Sequence, residues 1–263
     1  MEIINSSQNQ YLKYLKKLYK TRKRKKENVF ILEGKNIIEE ACNLDMDFEY
    51  IFMTPEFHEN NKLDIKDFSA DQINIKYIEK KLLEKIADTV SPQGIIAIVK
   101  KPDYKFKQFK NKKNLLILDQ IQDPGNMGTL IRTAVAAGMD GIIALKGCVD
   151  IYNLKVIRAT MGTIFALPIL TRIDLQQFKN LYQKNNFNLI TAESSRGEIY
   201  SEVEYKKPLM IVIGNEARGV RSEIIDLSDR LVKIPVFGDI DSLNAAIAGG
   251  IILYKSVEKN CTL

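Results

Sequence analysis

The residues best suited to chemistry sit at three turns. In "QDPGNMGTLIRTAVAAG", residues 122–138, a turn runs into a helix of small apolar residues that keeps Asn126 and Arg132. Pro124-Gly125 is a turn signal, and Asn126 is expected to cap the following helix by accepting a backbone N–H. Leu130, Ile131, Ala134 and Val135 read as buried neighbours of Arg132. The arginine is therefore either a structural ion pair or snorkelling side chain, or else an anion clamp or catalytic cation. In "IVIGNEARGV" a strand ends on Gly214, and Asn215, Glu216 and Arg218 follow before Gly219. Glycines around a carboxylate suit close backbone approach to a ligand, although an ordinary strand-to-helix turn favours the same residues. In "IPVFGDIDSLNAAIAGG", Ser242 is placed to cap a helix opening with Leu243, Asn244, Ala245 and Ala246. The small Ala246, Ala248, Gly249 and Gly250 suit a tight helix or dimer contact, or a flat ligand.

Other chemistries find little support. The single histidine, His58 in "PEFHENN", reads as a loop residue, which argues against a histidine triad or a His-rich metal site. Cys42, Cys148 and Cys261 are few, odd in number and far apart, so neither disulfides nor a metal is expected. The chain contains no G-x-G-x-x-G and no G-x-x-x-x-G-K-[ST], so ordinary nucleotide-binding loops are not expected.

These turns need elements to hold them. With 263 residues, the chain suffices for one large domain or two modest ones, and 45% hydrophobic with 27% charged residues fits a soluble globular protein. No apolar run approaches the roughly 18 residues of a membrane span. "MEIINSSQNQYLKYLKK" lacks the order of a signal peptide, so a cytoplasmic protein without membrane contact is expected. "NVFILEG", "FEYIFMT" and "GIIAIVK" read as strands, and "KNIIEEACN" as a helix. "INIKYIEKKLLEKIAD" begins as a strand and becomes a helix, completing a small α/β sandwich. The lysine-rich residues 100–114 read as a linker or an exposed strand edge, which sets domains of 1–106 and 107–263. Beyond them "NLLILD", "GIIAL", "FNLITAES", "LMIVIG" and "RLVKIPV" read as strands. Helices are expected at 128–137, in "NLKVIRATMGTIF", between Asp174 and Lys184, and in "LNAAIAGGIILYKSV". Such alternation predicts a mostly parallel sheet that binds ligands beyond the strands' carboxyl ends.

The net charge of +6 is unevenly spread. Residues 16–26 hold eight cations: Lys16, Lys17, Lys20, Arg22, Lys23, Arg24, Lys25 and Lys26. Leu12, Leu15 and Leu18 recur at helical spacing just before them. An amphipathic helix running into this cluster either grips phosphate oxygens or presents a solvated basic face.

Taken together, the three turns resemble the motifs of the SpoU (TrmH-type) family of RNA 2′-O-ribose methyltransferases, within the SPOUT class. The matching residues occur in order: Asn126 and Arg132, then Gly214, Glu216 and Gly219, then Ile234-Pro235, Gly238 and Ser242-Leu243-Asn244. The match spans residues 114–256, and the front of the chain resembles the family's ribosomal-protein-like substrate-binding domain. The resemblance implies a parallel-sheet α/β domain with a trefoil knot, working as a homodimer through that domain. It implies an enzyme that carries a methyl group from S-adenosylmethionine to a ribose 2′-hydroxyl, with Asn126, Arg132, Glu216 and Asn244 as catalytic-site residues. Cofactor contacts carry over to Gly214, Gly219, Ile234, Ser242 and Leu243, and to Thr191 or Ala192 at the preceding strand's end. Because a guanidinium hardly deprotonates, Arg132 suits an RNA phosphate clamp that offsets alkoxide charge, with Asn126 and Glu216 holding it and Asn244 shaping the donor pocket. Ala246 departs from the serine or threonine of many family members. The accessory domain favours ribosomal over transfer RNA. The rival readings are a non-catalytic RNA-binding factor on the same fold, a base methyltransferase of the wider class, and a small-molecule enzyme.

Overall fold

The computed structural model describes residues 2–61 and 74–258. Cys261, and Ile73 at the start of one expected strand, lie outside them. The chain divides into two compact units, Met1–Asp103 with Tyr152–Ile157, and Tyr104–Ile151 with Arg158–Leu263.

In the first unit the elements run β1 (Ile3–Ile4), α1 (Gln10–Leu18), α2 (Thr21–Glu27), β2 (Val29–Glu33), α3 (Lys35–Asn43), β3 (Phe48–Met53), α4 (Pro55–Asn60), β4 (Ile75–Ile78), α5 (Lys80–Glu84) and β5 (Ile95–Lys100). The strands form one sheet in the order β1-β4-β3-β5-β2, with β5 antiparallel to both neighbours and β4 parallel to both of its own. Asn9 caps α1 by accepting the Tyr11 N–H, and Leu12, Leu15 and Leu18 are wholly buried, so the leucine spacing forms the expected core stripe. His58 stands on α4 rather than in a loop, because Thr54 caps that helix and Pro55 begins it. The imidazole lies edge-on to Tyr77, with ring centroids 5.5 Å apart.

The basic cluster is not uniform. Lys16, Lys17, Lys20, Arg22, Lys25 and Lys26 are exposed, and Lys23 pairs with Glu27 one turn on. Arg24, expected among the RNA contacts, is only 2% exposed. Its guanidinium donates to the carbonyls of Leu18 at 2.9 Å and Tyr19 at 2.8 Å, and to Thr21 Oγ1. Those carbonyls are left over at the end of α1, so Arg24 closes a helix terminus instead of facing solvent.

The second unit opens with a 3₁₀ turn at Phe106–Phe109, followed by β6 (Asn114–Leu118), α6 (Pro124–Ala136), β7 (Gly141–Leu145) and α7 (Leu154–Thr160), whose first residues count with the first unit. Then come β8 (Ile169–Ile173), α8 (Leu175–Lys184), β9 (Asn188–Ala192), β10 (Glu198–Ile199), β11 (Leu209–Ile213), α9 (Ser222–Ile225), β12 (Arg230–Lys233) and α10 (Ala245–Glu258). The seven strands form the expected parallel sheet in the order β10-β12-β9-β11-β6-β7-β8. Strand order reverses at β6, so the crevice for a ligand falls beyond the carboxyl ends of the central strands. Residues 100–114 contain the division between the two units, at Asp103 and Tyr104, but also contribute to the second unit's core. Phe109 is completely buried in this unit's core, with Tyr104 and Phe106 packed alongside. A Cβ on Gly141 would lie 2.7 Å from the Phe109 ring, so the aromatic fills the space that glycine leaves.

Replacing Arg24 by alanine is expected to cost about 1–3 kcal/mol, because two carbonyls lose their donor. Arg22→Ala should stay within about 0.5 kcal/mol of the parent. Urea unfolding of the two variants measures the difference.

Candidate functional site at the strand ends

α6 begins four residues earlier than the periodicity placed it. Asp123, not Asn126, is its cap: the Asp123 carboxylate accepts the Asn126 N–H at 2.8 Å, and Pro124 supplies the first helical residue. This frees the Asn126 side chain. Its amide donates to Glu216 Oε1 at 2.9 Å, and its carbonyl oxygen accepts from Asn244 Nδ2 at 2.9 Å. One carboxamide thus ties together the turns after β6, β11 and β12.

The other two turns are built to meet it. Asn244, rather than Ser242, caps α10, accepting the N–H groups of Ala246 at 2.9 Å and Ile247 at 3.2 Å through Oδ1. Its remaining amide reaches Asn126. Ala246 contributes a backbone N–H to this cap and a methyl that is 5% exposed, so the cap requires no hydroxyl there. After β11 the chain folds back at once: Asn215 and Gly219 exchange backbone hydrogen bonds of 2.9 and 3.0 Å, with Gly219 at φ +69°. A Cβ on Gly214 would stand 2.5 Å from Val220 N. The glycine therefore admits the chain's own returning loop. Asn215 Oδ1 accepts the N–H groups of Ala217 and Arg218, while its amide donates to Gln120 O at 2.9 Å.

Beneath these turns lies a pair that sequence reasoning missed. Asp119, at the end of β6, is fully buried and accepts from Arg221 N, Nε and Nη2 at 2.9, 2.8 and 2.5 Å. "LLILDQ" showed an acid after an apolar strand, but nothing local named a partner 102 residues away. Nearby, burial pushes the Cys148 thiol up to about 11, and its S–H donates to Leu118 O. The thiolate needed for nucleophilic work is scarce at neutral pH.

The turns border a cavity of about 360 Å³. Gly214, Glu216, Gly219, Ile234, Ser242 and Leu243 line it, as does Ala192. Thr191 does not; it is wholly buried, and its hydroxyl bonds Ser228 Oγ at 2.6 Å. Asn126 and Asn244 stand outside the lining as braces. Arg132 also stands outside it and is exposed, on the outer stripe of α6 with Thr129 and Ala136, while Leu130, Ile131 and Ala134 face the core. Neither Asn126 nor Glu216 holds Arg132, contrary to expectation: they bond each other instead. Arg132 falls six residues after Asn126, which turns it to another side of the helix.

Asp119→Ala should cost about 3 kcal/mol by leaving Arg221 partly buried and unpaired, the lower end of the usual range because that side chain is 22% exposed. Denaturant unfolding checks the value; an unchanged midpoint would contradict a structural role for the pair.

Comparison with known proteins agrees with this geometry. Residues 113–254 match the SpoU rRNA Methylase family, and residues 9–97 match the MRM3-like substrate binding domain. The 23S rRNA (guanosine(2553)-2'-O)-methyltransferase RlmP of Bacillus subtilis is 29% identical over 97% of this chain and 98% of its own length. A putative TrmH family tRNA/rRNA methyltransferase of Staphylococcus aureus is 30% identical, over 74% of this chain and 82% of that protein. The crystal structure of an AdoMet-bound rRNA methyltransferase from Sinorhizobium meliloti superposes with a TM-score of 0.89 at 27% identity, over 98% of each chain. Like them in sequence and in fold, and with its three motif turns joined through one asparagine, the chain belongs to the SpoU rRNA Methylase family.

Proposed function

We propose that the protein transfers a methyl group from S-adenosylmethionine to a ribose 2′-hydroxyl of structured RNA, with ribosomal RNA preferred to transfer RNA. The observation that carries this reading is the Asn126–Glu216–Asn244 bridge beside a cavity of about 360 Å³, within the usual 300–1,000 Å³ of small-ligand sites. The relative in Bacillus subtilis is named for a ribose methylation of 23S rRNA, which supports the choice of RNA.

The cavity's residues suit the donor. Ile213, Val232, Ile234, Leu243 and Ile252 offer an apolar wall, and Ala192, Ala245 and Ala248 leave room for a flat base. Ser194, Ser195 and Ser242 provide hydroxyls, and Glu193 and Asp241 provide negative charge for the cationic end. S-adenosylmethionine, when bound, supplies an electrophilic methyl on a sulfonium. Gly214, Gly219, Ile234, Ser242, Leu243 and Ala192 hold it, and the bridged turns keep those walls in place.

The chain's own task is to bring a poor nucleophile into line and offset the charge that forms on it. Arg132 is exposed and, a guanidinium being a poor base, clamps an RNA phosphate and stabilises the developing alkoxide, while the hydroxyl proton passes to water and S-adenosylhomocysteine is the leaving group. The 1–106 domain adds phosphate contacts through Lys16, Lys17, Lys20, Arg22, Lys25 and Lys26. The 107–263 domain carries the chemistry. A trefoil knot around the cavity, a homodimer through the 107–263 domain, and a cytoplasmic setting complete the proposal.

Labelled S-adenosylmethionine with unmodified 23S rRNA or tRNA, followed by digestion to nucleosides, tests it. The expected product is a labelled 2′-O-methylnucleoside from rRNA, with a rate at least about a hundredfold lower in Arg132→Ala, as for loss of one charge-stabilising donor. Label on a base would overturn the acceptor. Arg132→Lys retaining most of the rate would overturn bidentate clamping. Combined alanine replacement of Arg22, Lys25 and Lys26 should lower the salt slope of RNA binding by roughly two and leave donor affinity unchanged.

A further inference from the structure

The loop between β12 and α10 leaves the cavity wall at Val236 and rejoins it at Asp241. Between these points it displays apolar side chains to solvent: Phe237 is 97% exposed and Ile240 60%. The Ile240 N–H donates to Gly238 O at 2.9 Å, a tight turn that fixes the excursion. Open space surrounds Gly238, where an added Cβ would meet nothing within 4 Å. A lone exposed apolar residue needs no explanation. What singles out Phe237 is its place one residue from the cavity lining, on a wall whose described residues include no aromatic.

We propose that Phe237 is the stacking platform for a nucleobase of the RNA, at the mouth of the donor cavity. This rests on the methylation reading above and adds to it a substrate-positioning residue. A 2′-hydroxyl presented to the cavity brings its base, one glycosidic bond away, to the rim. Proteins that read unpaired RNA hold such bases on aromatic faces, because every base has a π-face to offer. The cations needed for the adjoining phosphates are close at hand, since Arg218 and Lys233 belong to the same wall. The other exposed apolar residues of this region, Ile247 and Tyr254, lie seven apart on one side of α10. They lie on the closing helix, whereas Phe237 belongs to the loop.

The test uses the full-length protein, in vitro transcribed unmodified 23S rRNA, and the variants Phe237→Ala, Phe237→Leu and Phe237→Trp. RNA affinity is read by filter retention with S-adenosylhomocysteine present, and KM for RNA by methyl transfer. Donor affinity and oligomeric state are measured alongside. Phe237→Ala should weaken RNA binding and raise KM by on the order of ten- to a hundredfold, with donor affinity and oligomeric state unchanged. Phe237→Trp should keep parental values, and Phe237→Leu should resemble the alanine variant. Parental binding by Phe237→Ala, equality of the leucine and tryptophan variants, or dissociation of the oligomer on alanine substitution would each overturn the stacking role. If the parent binds RNA in this pattern but methylates none, the methylation reading fails while stacking stands. If the parent does not retain the RNA at all, both fall.

Discussion

The hydrogen bonds from Asn126 to Glu216 and Asn244 join residues 90 and 118 positions apart. The geometry of the site depends on them, because each of the three turns is a loop with its own conformational freedom to lose. A carboxamide carries its N–H donors and its carbonyl acceptor on separate atoms, so it donates to a carboxylate while accepting from another amide. An aspartate at 126 would have no proton for Glu216, and a shorter side chain would reach neither partner. Both helices that meet at this point free the groups it needs. Asp123 takes over the capping of α6, so the Asn126 amide is released, and Asn244 caps α10 with its oxygen, so its NH₂ is available.

The bridge stands on a firm base. Asp119 and Arg221 fasten the end of β6 to the segment after β11, and Asn215 ties that segment back to Gln120. Gly214 lets the backbone return at a distance no side chain would permit. The result is a set of walls with little freedom around a cavity of mixed apolar and polar lining, which is the preorganisation that methyl transfer between two aligned atoms requires. The exposed Arg132 and the loop carrying Phe237 remain outside the braced core, where an incoming RNA can meet them.

Much of the scaffold was legible in the chain. "NVFILE", "GIIAL" and "LMIVI" are buried strands because their apolar runs are bounded by turn residues, and Leu12, Leu15 and Leu18 form a core stripe because their spacing is helical. β8 escaped notice for an equally physical reason: Arg172, at φ +60°, interrupts its pattern where the register with β7 shifts. β1 and β10, of two residues each, are too short to show any period. Phe109 looked like part of a lysine-rich linker, since its neighbours are polar and its partner Gly141 is remote in sequence.

The residues of the candidate site could be named from their types alone. Asn126, Glu216 and Asn244 drew attention as polar residues in the turns that follow strands, Arg132 as a cation on an apolar helix, and their order along the chain pointed to the family. Their partners were not visible. Whether Glu216 bonds Arg132 or Asn126 is settled between segments 90 positions apart, whereas the α6 cap and the Arg24 contacts are local and turn on where each helix begins and ends. Periodicity and side-chain chemistry are local properties and can be read in order along a sequence. Burial and hydrogen-bond partnership depend on which distant groups come within about 3 Å of one another, and that distance exists only once the sheet has closed.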